Sequence, residues 1–263
     1  MKISMLMENT PFSEGFLSEH GLSIHIETEQ HRILFDMGQS DGFIANAEKM
    51  GIDLAAVDVA VLSHGHYDHG GGLEAFLAVN GEAPVYVSQY AFDPCFSGTE
   101  RYIGLKPELN RHTRLRIVEE QLVLDEELGI FACNERARPF VMDSYGLNTL
   151  RNNALLPDDF RHEQYLLIQE QGKRVLISGC SHKGILNIMS WFTPDVLIGG
   201  FHFMKVDPAG AEHTVLDEAA QVLAQADTQY YSCHCTGLAQ YEYLKARMGD
   251  QLRYLAAGQQ III

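Results

Sequence analysis

The chain has 263 residues, 46% apolar and 21% charged, which are the proportions of a soluble globular protein with a substantial core, and one domain spanning 1–263 is expected. A formal charge of −16 argues against nucleic acid and anionic membrane surfaces as partners, and no apolar run is long enough to span a bilayer. Five scattered cysteines (Cys95, Cys133, Cys180, Cys233 and Cys235) argue against a disulfide framework, and residues 1–6 carry no signal-peptide pattern, so a cytoplasmic location is expected.

Apolar runs predict strands at 1–6, 22–27 and 32–36, with a polar loop over 9–21 between the first two. A short helix over 43–50 ends at Gly51. The β-branched run 57–62 reads as a buried strand and 73–78 as a helix. Between them lies Ser63-His64-Gly65-His66-Tyr67-Asp68-His69-Gly70-Gly71-Gly72, so three histidines and an aspartate fall on a strand-to-helix loop. Turns favour Gly, Asn, Asp and Ser rather than repeated imidazoles, which points to ligation. Imidazole and carboxylate suit zinc, iron or manganese. His64 and His66, two apart, face one side of an extended backbone. Asp68 and His69, past the turn, can face a second ion.

Residues 83–88 read as a strand, whereas Pro94, Gly98, Gly104 and Pro107 break up 89–114, which is expected to form a wall or lid over the site. Arg101, Lys106, Arg111, Arg114 and Arg116, in or beside this stretch, are candidate anchors for an anionic substrate. Strands are expected at 115–124, 129–133 and 139–142, and a loop over 144–160. A hairpin joins 164–169 to 173–177.

Its second strand runs into Ser178-Gly179-Cys180-Ser181-His182 and a helix over 185–191. A strand over 195–198 ends at Gly199-Gly200-Phe201-His202. Residues 213–226 form an amphipathic helix, and a strand over 229–232 ends at Cys233-His234-Cys235. A last helix covers 238–248 and a last strand 261–263. Histidine therefore stands at four strand ends, where ligands collect in layered α/β proteins. His234 between two cysteines lacks the C-x₂₋₄-C reach of a structural zinc site, which favours a role in the composite site. Asp36, ending its strand, can either cap a turn or hydrogen-bond a ligand histidine from behind. His202 and His20 are candidate substrate contacts. His25, His31, His112, His162 and His213 are read as surface or structural.

The 64–69 loop resembles the H-x-H-x-D-H signature of the metallo-β-lactamase fold superfamily. That resemblance implies an α/β (α+β, four-layer) αβ/βα sandwich with a mono- or dinuclear metal site. The order of Gly179-Cys180-Ser181-His182, Gly199-Gly200-Phe201-His202 and His234-Cys235-Thr236-Gly237, with His20-Gly21-Leu22-Ser23 and Phe35-Asp36-Met37-Gly38, is similar to the branch of 7,8-dihydropterin-6-methyl-4-(β-D-ribofuranosyl)aminobenzene 5′-phosphate synthase. By that resemblance His64, His66 and His182 would hold one metal, and Asp68, His69 and His234 the other. Cys180 stands where many members carry a metal-bridging aspartate, as ligand, second-layer residue or packing group. Two divalent ions are implied, zinc foremost, with iron or manganese as alternatives. The expected activity is that of a metal-dependent hydrolase or transferase acting on a phosphorylated or pterin-like small molecule, with Asp68 both ligand and orienter of the nucleophile. A phosphodiesterase, a thioester or lactone hydrolase, and a non-catalytic metal or ligand sensor are the alternatives. Oligomeric state is not readable from the chain.

Overall fold

The computed structural model describes residues 1–263. The strands of the first half are β1 (Lys2–Met7), β2 (Ser23–Glu27), β3 (Arg32–Phe35), β4 (Val59–Val61), β5 (Val85–Ser88), β6 (Cys95–Ser97), β7 (Arg101–Tyr102) and β8 (Leu115–Val118). The second half supplies β9 (Gln121–Val123), β10 (Leu128–Phe131), β11 (Leu147–Arg151), β12 (Ala154–Pro157), β13 (Tyr165–Glu170), β14 (Lys173–Gly179), β15 (Val196–Gly199), β16 (Gln229–Ser232), β17 (Leu252–Tyr254) and β18 (Gln260–Ile262). The helices are α1 (Gly42–Lys49), α2 (Tyr67–Gly70), α3 (Leu73–Val79), α4 (Ile185–Phe192), α5 (His213–Leu223) and α6 (Leu238–Met248).

Two seven-stranded sheets face each other, ordered β18-β1-β2-β3-β4-β5-β8 and β17-β16-β15-β14-β13-β10-β9. Side-chain alternation explains the four layers. Ile33, Phe35, Val59 and Val61 of the first sheet share a buried cluster with Val175, Ile177, Val196 and Ile198 of the second. The intervening Leu34 and Ala60 turn outward onto Phe43 of α1 and Phe76 of α3. Leu176 and Leu197 turn outward onto Ile188 of α4, Leu216 of α5 and Leu244 of α6. Strands covered on both faces must be apolar at every position, hence the unbroken hydrophobic runs.

Some expectations are corrected. Residues 115–124 are two strands, β8 and β9, belonging to different sheets and separated at Glu119-Glu120. Residues 139–142 form no strand, because the Phe140 N–H and C=O bond the side chain of Asn187 instead of a neighbouring strand. Residues 144–160, expected as a loop, contain the β11–β12 hairpin. With β6 and β7, which fall in the stretch expected to be irregular, it makes a four-stranded sheet.

β2 also carries a buried histidine. His25 lies opposite Ser4 and Leu34, is 2% exposed, and neither ring nitrogen has a hydrogen-bond partner. Burial lowers its pKa to about 4 from 6.5. Between those pH values the unfolded chain holds the extra proton, so stability falls as pH drops through the window, by about 3 kcal/mol in all. His25→Leu should remove that loss. In urea titrations the stability of the variant relative to wild type should rise by about 3 kcal/mol between roughly pH 7.5 and 4. An unchanged difference would contradict the assignment.

Candidate metal centre

β3, β4, β5 and β8 run parallel, as do β14, β15, β16 and β17, and the carboxyl ends of both sets open at one edge of the sandwich. Each turn off that edge is sharp. Asp36, Ser181, His202 and His234 all adopt left-handed backbone, at φ 59°, 60°, 55° and 45°. Such conformations cost about 1 kcal/mol or more apiece and persist only where the surroundings over-determine them. Glycine is required at two places. At Gly179 (φ 65°) a Cβ would lie 2.6 Å from Ser63 Oγ, and at Gly72 it would lie 2.1 Å from the Met37 carbonyl. Gly72 thus lies against the backbone of its neighbouring loop, and Gly179 against the Ser63 side chain.

The histidines of the 63–72 loop meet those from the second sheet. His64 Nε2 lies 3.2 Å from His182 Nε2, and His66 belongs to the same buried group. His69 Nε2 lies 3.2 Å from His234 Nε2 and 3.1 Å from Cys180 Sγ. Asp68 Oδ2 is 3.5 Å from His234 Nε2 and 3.9 Å from His69 Nε2. Cys180 has donors of both halves around it: His64 with His69, His182 with His202, and His234 with Cys235. All five cysteines are buried and unpaired. Of the two candidate substrate contacts, His20 Nε2 reaches Asp68 Oδ2 at 3.2 Å. The His202 ring centroid is 4.1 Å from that of His182, and neither of its nitrogens has a partner.

Hydrogen bonds behind the site set the tautomers. Asp36, fully buried, accepts from Ser63 N and Ser63 Oγ at 2.7 Å each and from His69 Nδ1 at 2.6 Å. The Ser63 hydroxyl proton is committed to Asp36, so Ser63 Oγ accepts from His64 Nδ1 at 2.8 Å. Asn9 donates Nδ2 to the His234 carbonyl, which turns its Oδ1 to accept from His234 Nδ1 at 2.8 Å. In their neutral forms the rings of His64, His69 and His234 would therefore carry the proton on Nδ1 and turn Nε2 toward one another. Lone pairs 3.2 Å apart repel unless a proton or cation lies between them. Burial holds His64 and His182 well below the usual histidine range and His66 at about 3, so these remain neutral donors. Burial also pulls His69 down, but the Asp36 and Asp68 carboxylates outweigh it and hold the ring up at about 9. Asp68 is pushed up by burial, yet hydrogen bonds from His20 and His234 keep it ionised. Imidazoles with Nε2 turned inward beside an ionised carboxylate fit a divalent cation, which would take the place of the proton that the carboxylates hold on His69.

Several residues that position the site were not read from the sequence. Glu163 accepts from His182 N at 2.6 Å, Lys183 N at 2.9 Å and Tyr165 Oη at 2.6 Å, and so holds the loop after β14. Glu8 does the same after β16, accepting from His234 N and Tyr254 Oη at 2.6 Å each. His162, read only as surface or structural, is buried and accepts from Gly65 N at 3.1 Å, while its Nε2 donates to Asp158. A usable signal was present for Glu8 and Glu163: each is a lone acid flanking an apolar strand, β1 and β13, and both flanks reach the site edge.

The centre opens into a cavity of about 190 Å³ lined by His20, His66, Asp68, Cys180, His182, His202 and Cys235 below, with Tyr67, Ser97, Arg101, Ile103, Leu147, Met204 and Lys205 around and above. Residues 95–103 do form part of its wall. Of the basic residues considered as anchors, only Arg101 lines the cavity. Lys106 pairs with Glu74, Arg114 donates to the Asn80 and Leu77 carbonyls, and Arg116 donates to Thr113 and Leu115.

Residues 19–134 match the family model of the metallo-beta-lactamase superfamily. The chain is 28% identical to an uncharacterized protein of Methanocaldococcus jannaschii, over 89% of this chain and 90% of that one. It is 27% identical to the 7,8-dihydropterin-6-methyl-4-(beta-D-ribofuranosyl)-aminobenzene-5′-phosphate synthase of the same organism, over 98% and 95% of the two chains. A crystal structure described as a metal-dependent hydrolase of the beta-lactamase superfamily superposes with a TM-score of 0.84 at 29% identity, covering 100% of this chain and 99% of that one. With its two packed sheets and flanking helices, the chain has the metallo-β-lactamase sandwich fold, and residues 19–134 carry the match to that superfamily.

Proposed function

We propose that this protein is a metal-dependent hydrolase of a phosphorylated small molecule, with His64, His66 and His182 holding one divalent ion and Asp68, His69 and His234 the other. The observation that carries this reading is the convergence of the His64, His69 and His234 Nε2 atoms, each ring fixed from behind by Ser63, Asp36 or Asn9. The donor types favour zinc, with iron or manganese also suited, and Cys180 adds a soft donor between the halves. Divalent ions held there supply Lewis acidity toward a phosphoryl oxygen and acidify water.

The chain's own groups do the rest. Asp68, anchored by His20, accepts a hydrogen bond from the attacking water and orients it. His202, with both ring nitrogens free and its ring beside His182, donates to a substrate oxygen. Leu147 and Ile103, both buried, exclude bulk water from above. No helix is long and apolar enough to cross a membrane, and five buried free thiols suit the reducing cytoplasm. A second reading, transfer of an arylamine to a pterin methylene with loss of diphosphate, draws on the 27% identity to the synthase across nearly both chains.

Elemental analysis of the purified protein, followed by turnover of bis(p-nitrophenyl) phosphate before and after chelation, tests the proposal. Bound divalent metal and chelator-sensitive turnover are expected. Full activity after removal of all metal would overturn it, whereas tight metal binding without turnover of any phosphoester would leave a sensor.

A further inference from the structure

The mouth of the cavity has a charge pattern at odds with the rest of the chain. The protein carries −16 overall, yet two of the side chains lining the opening are Arg101 and Lys205. They come from different elements. Arg101 lies on β7 opposite Ser97 of β6, and Ser97 lies opposite Leu147 of β11, so Arg101, Ser97 and Leu147 form one cross-strand row of the small sheet above the cavity. Lys205 lies in the loop after β15 and donates to the Tyr145 carbonyl at 2.5 Å, two residues before Leu147. The two cations thus reach the same cavity, one from the small sheet and one from the loop bonded to the residues that precede its strand β11.

Neither is neutralised by a carboxylate. Arg101 donates to the Tyr67 hydroxyl at 3.0 Å and lies 5.7 Å from that ring's centre. Lys205 bonds only a carbonyl. Lys106, a few residues along, is paired with Glu74. Ile103, Leu147 and Met204 add apolar surface to the same lining, and the histidine cluster forms its floor. One cavity therefore joins metal-ligand candidates, apolar surface and two unpaired cations.

We propose that Arg101 and Lys205 form an anion-recognition rim, selecting substrates that carry a phosphate or carboxylate group beyond the one that reacts, separated from it by an apolar or aromatic spacer. The inference rests on the reading of the floor as a centre that binds a phosphoryl group. A guanidinium and an ammonium at the mouth of a partly desolvated cavity bind such a group by charge-assisted hydrogen bonds, and their field draws anions to an otherwise repelling surface. Phosphate and carboxylate share this chemistry.

Calorimetric titration of the metal-loaded full chain with two non-hydrolysable probes, phenylphosphonate and 4-phosphonobenzoate, decides it. Both offer the floor the same phosphonate; the second adds a carboxylate across the ring. Wild type should bind 4-phosphonobenzoate about tenfold more tightly, a preference that shrinks at high salt. In the Arg101→Met, Lys205→Met double variant the ratio of affinities should fall to about one. The control Arg116→Met, which alters an exposed arginine away from the cavity, should retain the ratio. A ratio near one in wild type, or a tenfold ratio that survives in the double variant, overturns the rim while leaving the metal centre standing. Failure of both probes to bind the metal-loaded protein overturns the rim and the phosphoryl-binding floor together.

Discussion

Asp68→Ala is expected to lower phosphodiester turnover by about 10³-fold, in the range lost when a positioned acid–base group is removed. The residue is 8% exposed and its carboxylate engages only His20, His69 and His234 around the cavity. Its backbone carbonyl, which accepts from Leu22 N at 3.1 Å, survives the substitution, so the loop keeps its tie to the strand beside it. Unfolding by urea should therefore shift little. Asp68→Asn separates charge from volume: it retains the shape but loses the anion, and a comparable rate loss is expected. Wild-type turnover in either variant, with metal content confirmed, would remove Asp68 from the reaction.

Asp36→Asn should have the second large effect, at a distance from any substrate. The carboxylate accepts three hydrogen bonds, two from Ser63 and one from His69 Nδ1. An asparagine offers one oxygen and two N–H donors in the same space. With a donor facing it, His69 Nδ1 must become the acceptor, and its proton moves to Nε2, pointing into the centre. Ser63 Oγ, deprived of its acceptor, turns its proton toward His64 Nδ1 and sends that ring's proton to Nε2 as well. One substitution thus reverses two tautomers. Metal affinity should fall 10- to 100-fold, and stability by roughly 1–3 kcal/mol because a buried network is left short of an acceptor. Metal retained after dialysis against a graded chelator series measures the first; urea denaturation of the metal-free protein measures the second. Unchanged metal retention would show that the His69 and His64 tautomers are set by something other than Asp36.

Much of the architecture was legible because burial on both faces leaves an unmistakable mark. Strands such as β3, β4, β14 and β15 are apolar at successive positions, and each ends abruptly in Asp, His or Gly where the backbone leaves the sheet. The 64–69 motif and the three later histidines could be assembled from that rule alone. Other features left no periodic trace. Glu119-Glu120 separates two stretches of similar composition, so nothing in the run 115–124 announced that its halves join opposite sheets. The β11–β12 turn was misread for a different reason. Asn152 and Asn153 both have positive φ, 50° and 62°, the geometry of a tight two-residue hairpin, but adjacent asparagines beside Pro157 looked like loop. The supporting carboxylates Glu8 and Glu163 show in the sequence only as lone acids beside apolar strands, with nothing local to name what they hold. Each holds a loop far away in sequence, Glu8 bonding a residue 226 positions on.

The facing pairs His64–His182 and His69–His234 each take one member from either sheet. They straddle the seam between the halves of the molecule, so sliding one sheet along the other would part both pairs at once. A cation bound between them would act as a suture, and its occupancy would be tied to the cohesion of the whole sandwich. At a free concentration a hundredfold above its Kd, such a ligand adds about 2.7 kcal/mol against unfolding. Starvation for metal would then show first as loosening and proteolysis of the chain, ahead of any shortage of product.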